Sequence, residues 1–348
     1  MTPLTVTTNS PILTHAKKAL AALLMLPLLL ACVDETEFPD TPEGNRQALW
    51  QIIDRHYCFL SLKHEQYGLD WNEVNERYRR QVNSDMSRQQ LFEVLSNMLA
   101  ELRDGHVNLS ASHDFARYWA WQEAYPANVS DSLLRRYLGT DYRIAAGLRY
   151  RILDDNVGYI RYESFTNGIG EGNLNEVIQY LMLCRGLIID IRGNGGGDLT
   201  NAEIFAARFC QERTLVGYYQ HKQGPGHDDF SALEPRYLEP SSHLRWHKPV
   251  VLLVNRQVFS AANEFAMYMR QMPGVVLVGD RTGGGAGMPF NSSLPSGWVV
   301  RFSAVPMYDA NGQSMEAGIE PDYHVNLTDE DYVRGRDTLI EFARQLMK

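Results

Sequence analysis

The sequence predicts an α/β domain preceded by a small helical subdomain. Two observations carry this. Apolar residues recur at helical spacing from about 44 to 103, and beyond about 141 short β-like runs alternate with helical ones. In the first region Leu49, Ile52 and Ile53, then Leu91, Val94, Leu95, Met98, Leu99 and Leu102, mark apolar helix faces. Ser87 with Gln90 forms a capping-box pattern ahead of the last of these helices. Residues 142–144, 148–153 and 157–162 read as short strands, with Asp154-Asp155-Asn156 as a turn. A helix over 174–183 leads into 186–191, an apolar run typical of a buried strand. Residues 198–210 read as helix, 250–254 as a second buried strand, 261–271 as helix and 275–278 as strand. Residues 290–294 and 298–305 flank Pro295-Ser296-Gly297 as a hairpin, and 329–347 reads as a terminal helix. The stretch 212–247 is polar, aromatic and Pro/Gly-containing, and predicts a surface excursion. Of its histidines His221, His227, His243 and His247 only the last two are closely spaced, so it does not predict a metal site.

The ends and the composition narrow the function. Lys17 and Lys18 precede an apolar run, 19–31, that is short for a membrane span and closes on Leu29-Leu30-Ala31-Cys32. That ending resembles a bacterial lipobox and predicts a signal segment over 1–31 with lipidation at Cys32. An acidic, Pro/Thr-containing stretch follows and predicts a flexible tether over 32–44, with a lipid anchor as the membrane contact. The expected organisation is completed by a helical subdomain over 45–105 and an α/β domain over 106–348, in the cell envelope. Net charge is −9 for the whole chain, and about −11 once Lys17 and Lys18 are set aside with residues 1–31. Such acidity argues against nucleic acid as a partner. Cys58, Cys184 and Cys210 fit no metal spacing, and the sequence does not choose a disulfide pair among them.

Four segments carry chemistry. They are 102–106 (Leu-Arg-Asp-Gly-His), 190–197 (Asp-Ile-Arg-Gly-Asn-Gly-Gly-Gly), 258–264 (Val-Phe-Ser-Ala-Ala-Asn-Glu) and 316–322 (Glu-Ala-Gly-Ile-Glu-Pro-Asp). Ser260 stands between a buried strand and a helix. From the residues alone it is either an N-cap or a nucleophile facing helix N-terminal amides. The glycines after the 186–191 strand let backbone approach a bound group without a Cβ in the way, and match neither a dinucleotide fingerprint nor a phosphate-binding P-loop.

In order and spacing these segments resemble the S41 peptidases, the C-terminal-processing and tricorn-core family, over roughly residues 90–325. The resemblance implies a ClpP/crotonase-like α/β core and a serine-type peptidase that needs no metal or organic cofactor. It implies peptide or protein substrates and an acyl-enzyme route. Ser260 would be the nucleophile, and the amide of Gly195 or Gly196 would form an oxyanion hole with that of Ala261. The processing branch uses a lysine base about 25 residues after the serine, and Gly285 stands there in this chain. Outside residues 1–31 the lysines are Lys63, Lys222, Lys248 and Lys348, none in that loop. The tricorn-like branch instead places a catalytic histidine where this chain has His106, and an orienting glutamate where it has Glu316. Asp104 and Glu264 are rivals for that orienting role. Tricorn-type sequences carry a serine before the histidine, and this chain has Gly105. A binder of apolar ligands is the alternative function, since some S41-like modules do not digest protein. Acyl-CoA chemistry on the related crotonase fold is disfavoured by the predicted export.

Overall fold

The structure is a computed structural model that describes residues 38–348, so the signal segment, Cys32 and the first part of the expected tether, 32–37, lie outside the described residues. Residues Asp40–Lys348 form one compact unit. Its first helix, α1 (Pro42–His56), begins three residues earlier than the ordered fold expected from sequence. Thr41 caps it through Oγ1 to the Gly44 amide, with Pro42 in the first turn. Helices α2 (Leu60–Tyr67), α3 (Trp71–Arg79) and α4 (Arg88–Ala100) follow. Ser87 and Gln90 close the reciprocal capping box that their spacing predicts. Leu49, Ile53, Trp71, Val74, Leu95 and Met98 are buried.

Between the helical region and the central sheet lie β1 (Asn108–Ser110), β2 (Phe115–Arg117), α5 (Ala120–Glu123) and α6 (Asp131–Leu138). Then come β3 (Arg143–Ala145), β4 (Leu148–Ile152), β5 (Gly158–Tyr162), α7 (Glu171–Leu181), β6 (Leu187–Asp190) and α8 (Leu199–Ala206). Strands β7 (Thr214–Tyr219) and β8 (Glu234–Leu238) follow, then β9 (Val250–Val254), α9 (Ala261–Arg270) and β10 (Val275–Gly279). The chain ends with β11 (Gly287–Ser293), β12 (Val299–Tyr308), β13 (Tyr323–His324), α10 (Asp329–Val333) and α11 (Thr338–Leu346).

Two sheets result. The first has the order β13-β10-β9-β6-β5-β4-β3, parallel from β13 to β5 and antiparallel beyond. Strands β5, β6 and β9 are buried along their whole length; the apolar runs of β6 and β9 require it, and β5 buries Arg161 by pairing it with Asp190. The second is antiparallel, in the order β2-β1-β12-β7-β8 with β11 on the other edge of β12. The excursion expected over 212–247 is therefore partly ordered as the β7–β8 pair. The single terminal helix expected over 329–347 is broken, because Gly335 adopts φ 71 and Asp337 caps a new helix.

Two ties position the functional loops. Strands β6 and β9 are parallel neighbours, so the loops at their C-terminal ends sit side by side. Arg192, wholly buried, pairs with Asp190 at 2.7 Å and Asp337 at 3.0 Å, binding the base of the glycine loop to the start of α11.

Candidate active site

Ser260 directly precedes α9, but its side chain does not cap that helix. Its backbone holds φ 56 and ψ −126, a region that L-residues rarely occupy. The Ser260 amide donates to Gly284 O at 2.9 Å, and Phe259 N donates to Asn194 O at 3.1 Å. Loops after β6, β9 and β10 thus lock one another around the serine. With the cap unused, Oγ turns instead to His106, whose Nε2 lies 2.9 Å away.

His106 stands just before β1. Asp104 Oδ1 accepts the His106 backbone N–H at 2.6 Å, and Asp104 Oδ2 accepts from Ser303 Oγ of β12 at 2.9 Å. The imidazole packs on Phe259, with ring centroids 4.8 Å apart. Burial pushes its pKa down to about 4; the Asp104 charge opposes that, and Arg301 and Arg117 add to it. The ring is therefore neutral at pH 7. Its Nδ1 is buried without a hydrogen-bond partner among the described residues.

Glu316 does not bond to that nitrogen. Its Oε1 meets Lys63 Nζ at 3.2 Å, and its Oε2 accepts the Ala286 amide at 3.1 Å. Both side chains are about 5% exposed. Burial, reinforced by the Asp104 charge, pushes the Glu316 carboxyl up to about 7, while Lys63 pulls it back. Glu264, the other rival, lines the same cavity as the histidine but is engaged in an ion pair with Arg236, and burial raises it to about 7. The structure thus brings Ser260 and His106 together, and holds Glu316 and Asp104 in a buried network beside them.

The glycine loop contributes amides unequally. Gly196 packs on the serine, because a Cβ there would stand 2.9 Å from Ala261 N and from Ser260 Cβ. Its own N–H is taken by Asn194 Oδ1 at 3.0 Å, however. Gly195 and Gly197 are both exposed and neither N–H meets an acceptor among the described residues, but Gly197 also lines one cavity with His106, Ser260 and Ala261. Of the amides expected from sequence, that of Gly196 is engaged and that of Gly195 is free, and Gly197 joins Ala261 in lining the serine cavity. Two departures from family patterns have steric causes. A Cβ on Gly105 would meet Trp121 Nε1 at 2.7 Å and Phe259 at 2.9 Å, and a side chain on Gly285 would overlap the Phe259 ring. Neither a serine before His106 nor a lysine at 285 has room.

Sequence reading missed Lys63, Ser303 and Trp121 as parts of the site, and took Asn194 only as a member of the glycine segment. Only Lys63 left a trace, as one of very few lysines outside residues 1–31. Among the described residues no group of three or more His, Cys, Asp or Glu gathers to hold a metal, and no helix is long and apolar enough to cross a membrane. Cys58, Cys184 and Cys210 are buried free thiols.

A serine on a strained strand-to-helix turn beside a neutral histidine, with free amides facing the same cavity, is the arrangement of a serine-type hydrolase. The comparisons give the family. Residues 156–325 match the model of peptidase family S41, and residues 38–100 match that of the tricorn protease C1 domain. A crystal structure described as a candidate peptidase from Parabacteroides merdae is 49% identical, with TM-score 0.85 over 88% of this chain and 97% of that one. Mature CPAF complexed with lactacystin is 13% identical, with TM-score 0.68 over 88% of this chain and 98% of that one, and shares the fold. The carboxy-terminal processing protease CtpA of Bacillus subtilis is 25% identical over 51% of this chain, which spans 36% of CtpA. The chain belongs to peptidase family S41.

Proposed function

We propose that this protein hydrolyses peptide bonds through an acyl-enzyme, with Ser260 as nucleophile and His106, not a lysine, as base. The observation that carries this reading is the 2.9 Å approach of His106 Nε2 to Ser260 Oγ. Oγ attacks the scissile carbonyl carbon while its proton passes to Nε2. The Ala261 and Gly197 amides receive the oxyanion. The imidazolium then protonates the leaving amine, and a water activated by the same nitrogen releases the acyl group. Burial favours this chemistry by keeping His106 unprotonated. Asp104 fixes the histidine backbone and supplies negative charge near the ring as the imidazolium forms, and Glu316 braces the neighbouring loop through Lys63 and the Ala286 amide.

The cavity at Ser260, about 90 Å³, admits a small side chain and not an extended apolar ligand, which supports hydrolysis over apolar-ligand binding. Fluorophosphonate labelling tests the reading. Wild type should label on Ser260, and Ser260→Ala and His106→Ala should not; an unlabelled wild type that binds apolar ligands would overturn it. We also propose that Cys32 is lipidated and holds the protein in the cell envelope. Intact mass of the mature protein should show an acylated N-terminal Cys32, and an unmodified N-terminus at another residue would refute this.

A further inference from the structure

The cavity that holds the Ser260 hydroxyl is walled by apolar side chains, Leu199, Met288, Pro289 and Met307, and carries two charged residues, Glu264 and Arg301. These two are not equivalent. Glu264 is buried and already engaged by Arg236, itself backed by Glu203 and the Tyr268 hydroxyl. Arg301 is exposed and, among the described residues, forms no ion pair and no side-chain hydrogen bond. The charge available to an incoming group is therefore positive.

The placement of Arg301 follows from strand geometry. In β12 Arg301 stands two residues before Ser303, so both project from the same face of the sheet. Ser303 reaches Asp104 behind the catalytic histidine. Arg301, one step along, reaches the cavity itself. The registers Asn108↔Arg301 and Arg301↔Asn291 fix it between two neighbouring strands. Arg117, the other cation near His106, is occupied differently: it donates to Gly105 O and lies over the Trp119 and Phe259 rings.

We propose that Arg301 is a specificity-determining residue, whose guanidinium takes a carboxylate of the peptide substrate close to the scissile bond. This rests on the peptidase reading above. A guanidinium offers forked N–H donors that match a carboxylate bidentately. Two sources supply the same chemistry: an Asp or Glu side chain, or the α-carboxylate of a substrate's C-terminus. The apolar walls and small volume accommodate a compact side chain beside it, and an additional lysine or arginine side chain meets like charge.

The experiment separates these outcomes. Fluorophosphonate labelling of wild type first establishes the reactive serine; if it fails, the peptidase reading falls with this one. Cleavage of a diverse peptide library by wild type, read by mass spectrometry, then gives cut sequences. Each is resynthesised with Glu or Asp changed to Gln or Asn, and separately with an amidated C-terminus. Loss of the carboxylate that Arg301 holds should lower wild-type kcat/KM roughly 10- to 100-fold, the range for hydrogen bonds to charged groups. A fall with side-chain neutralisation identifies an acidic residue; a fall with amidation identifies the chain terminus. In Arg301→Gln the ratio between charged and neutralised peptides should collapse to near one, and Arg301→Lys should keep part of it. Labelled, active wild type that cuts charged and neutralised peptides equally would overturn the proposal without any variant, as would an undiminished ratio in Arg301→Gln.

Discussion

At the scale of single residues, Ser260 and His106 each carry a cost that their proposed roles explain. Ser260 occupies φ 56, where a side chain is disfavoured by about 1–3 kcal/mol. Ser260→Gly should therefore raise stability, by about 1 kcal/mol, while abolishing fluorophosphonate labelling. Denaturant unfolding checks the first half, and a destabilised glycine variant would show that Oγ supports the fold rather than the chemistry. For His106 the sequence alone places the acid limb of activity near pH 6–7, from an unperturbed imidazole. Burial moves that limb. With the folded value near 4, kcat/KM should stay high through pH 6 and fall only as pH drops through about 4. The same shift makes the unfolded chain, with its ordinary value near 6.5, the stronger proton binder. The histidine's contribution to stability is thus complete above about pH 6.5 and is lost as pH falls toward 4. A kcat/KM profile with its acid midpoint at 6.5 or above would contradict the buried, neutral imidazole.

At the scale of elements, legibility in the sequence followed sequence distance. Strands β6 and β9 were readable because each is a continuous apolar run, and the loops after them carry the glycines and Ser260. The capping box of α4 was readable because both partners lie within four residues. Strands β1 and β7 were not, since β1 is only three residues long and both are stabilised by distant partners: Asn108 pairs with Arg301 and Tyr219 with Met307. The Lys63–Glu316 pair spans 253 positions, so no local pattern reports it. It joins α2 to the loop that follows β12, and it has a testable signature. Glu316 has a folded value near 7 against about 4.5 unfolded, so its contribution to stability is present below about 4.5 and is lost as pH rises through 7. Removing the Lys63 cation should extend that loss upward. Lys63→Met should cost about 3 kcal/mol at neutral pH, as removal of one partner from a buried pair does. The deficit should widen as pH rises above about 7, and Glu316→Gln in the same background should relieve it. A pH-independent deficit in Lys63→Met would mean that Lys63 acts by packing alone.

At the scale of the whole molecule, the proposed catalytic pair is assembled from residues 154 positions apart in the chain. His106 is delivered by the chain leaving the helical region, and Ser260 by the C-terminal end of a central parallel strand. The family models divide along the same line, one matching 38–100 and the other 156–325, with His106 in the interval between them. Yet residues Asp40–Lys348 cluster as a single compact unit. The contacts that unify it are specific: Cys58 N donates to Ser303 O at 3.0 Å, Lys63 meets Glu316, and Ser296 N donates to Asn45 Oδ1 at 2.9 Å. Without the helices, Trp298, Val300 and Phe302 of the β12 region would lose part of their cover, and Glu316 would lose its cation. A chain of residues 106–348 expressed alone retains Ser260, His106, Glu316 and the oxyanion-hole amides, and loses Asp104 and Lys63. It should nevertheless fail to label with a fluorophosphonate and should lack the cooperative unfolding of the 40–348 chain. Adding residues 40–105 as a separate polypeptide should restore labelling in proportion to its concentration, because the second piece binds only the folded form. Full labelling of the isolated 106–348 chain would show instead that the helical region is an accessory to a self-sufficient catalytic domain.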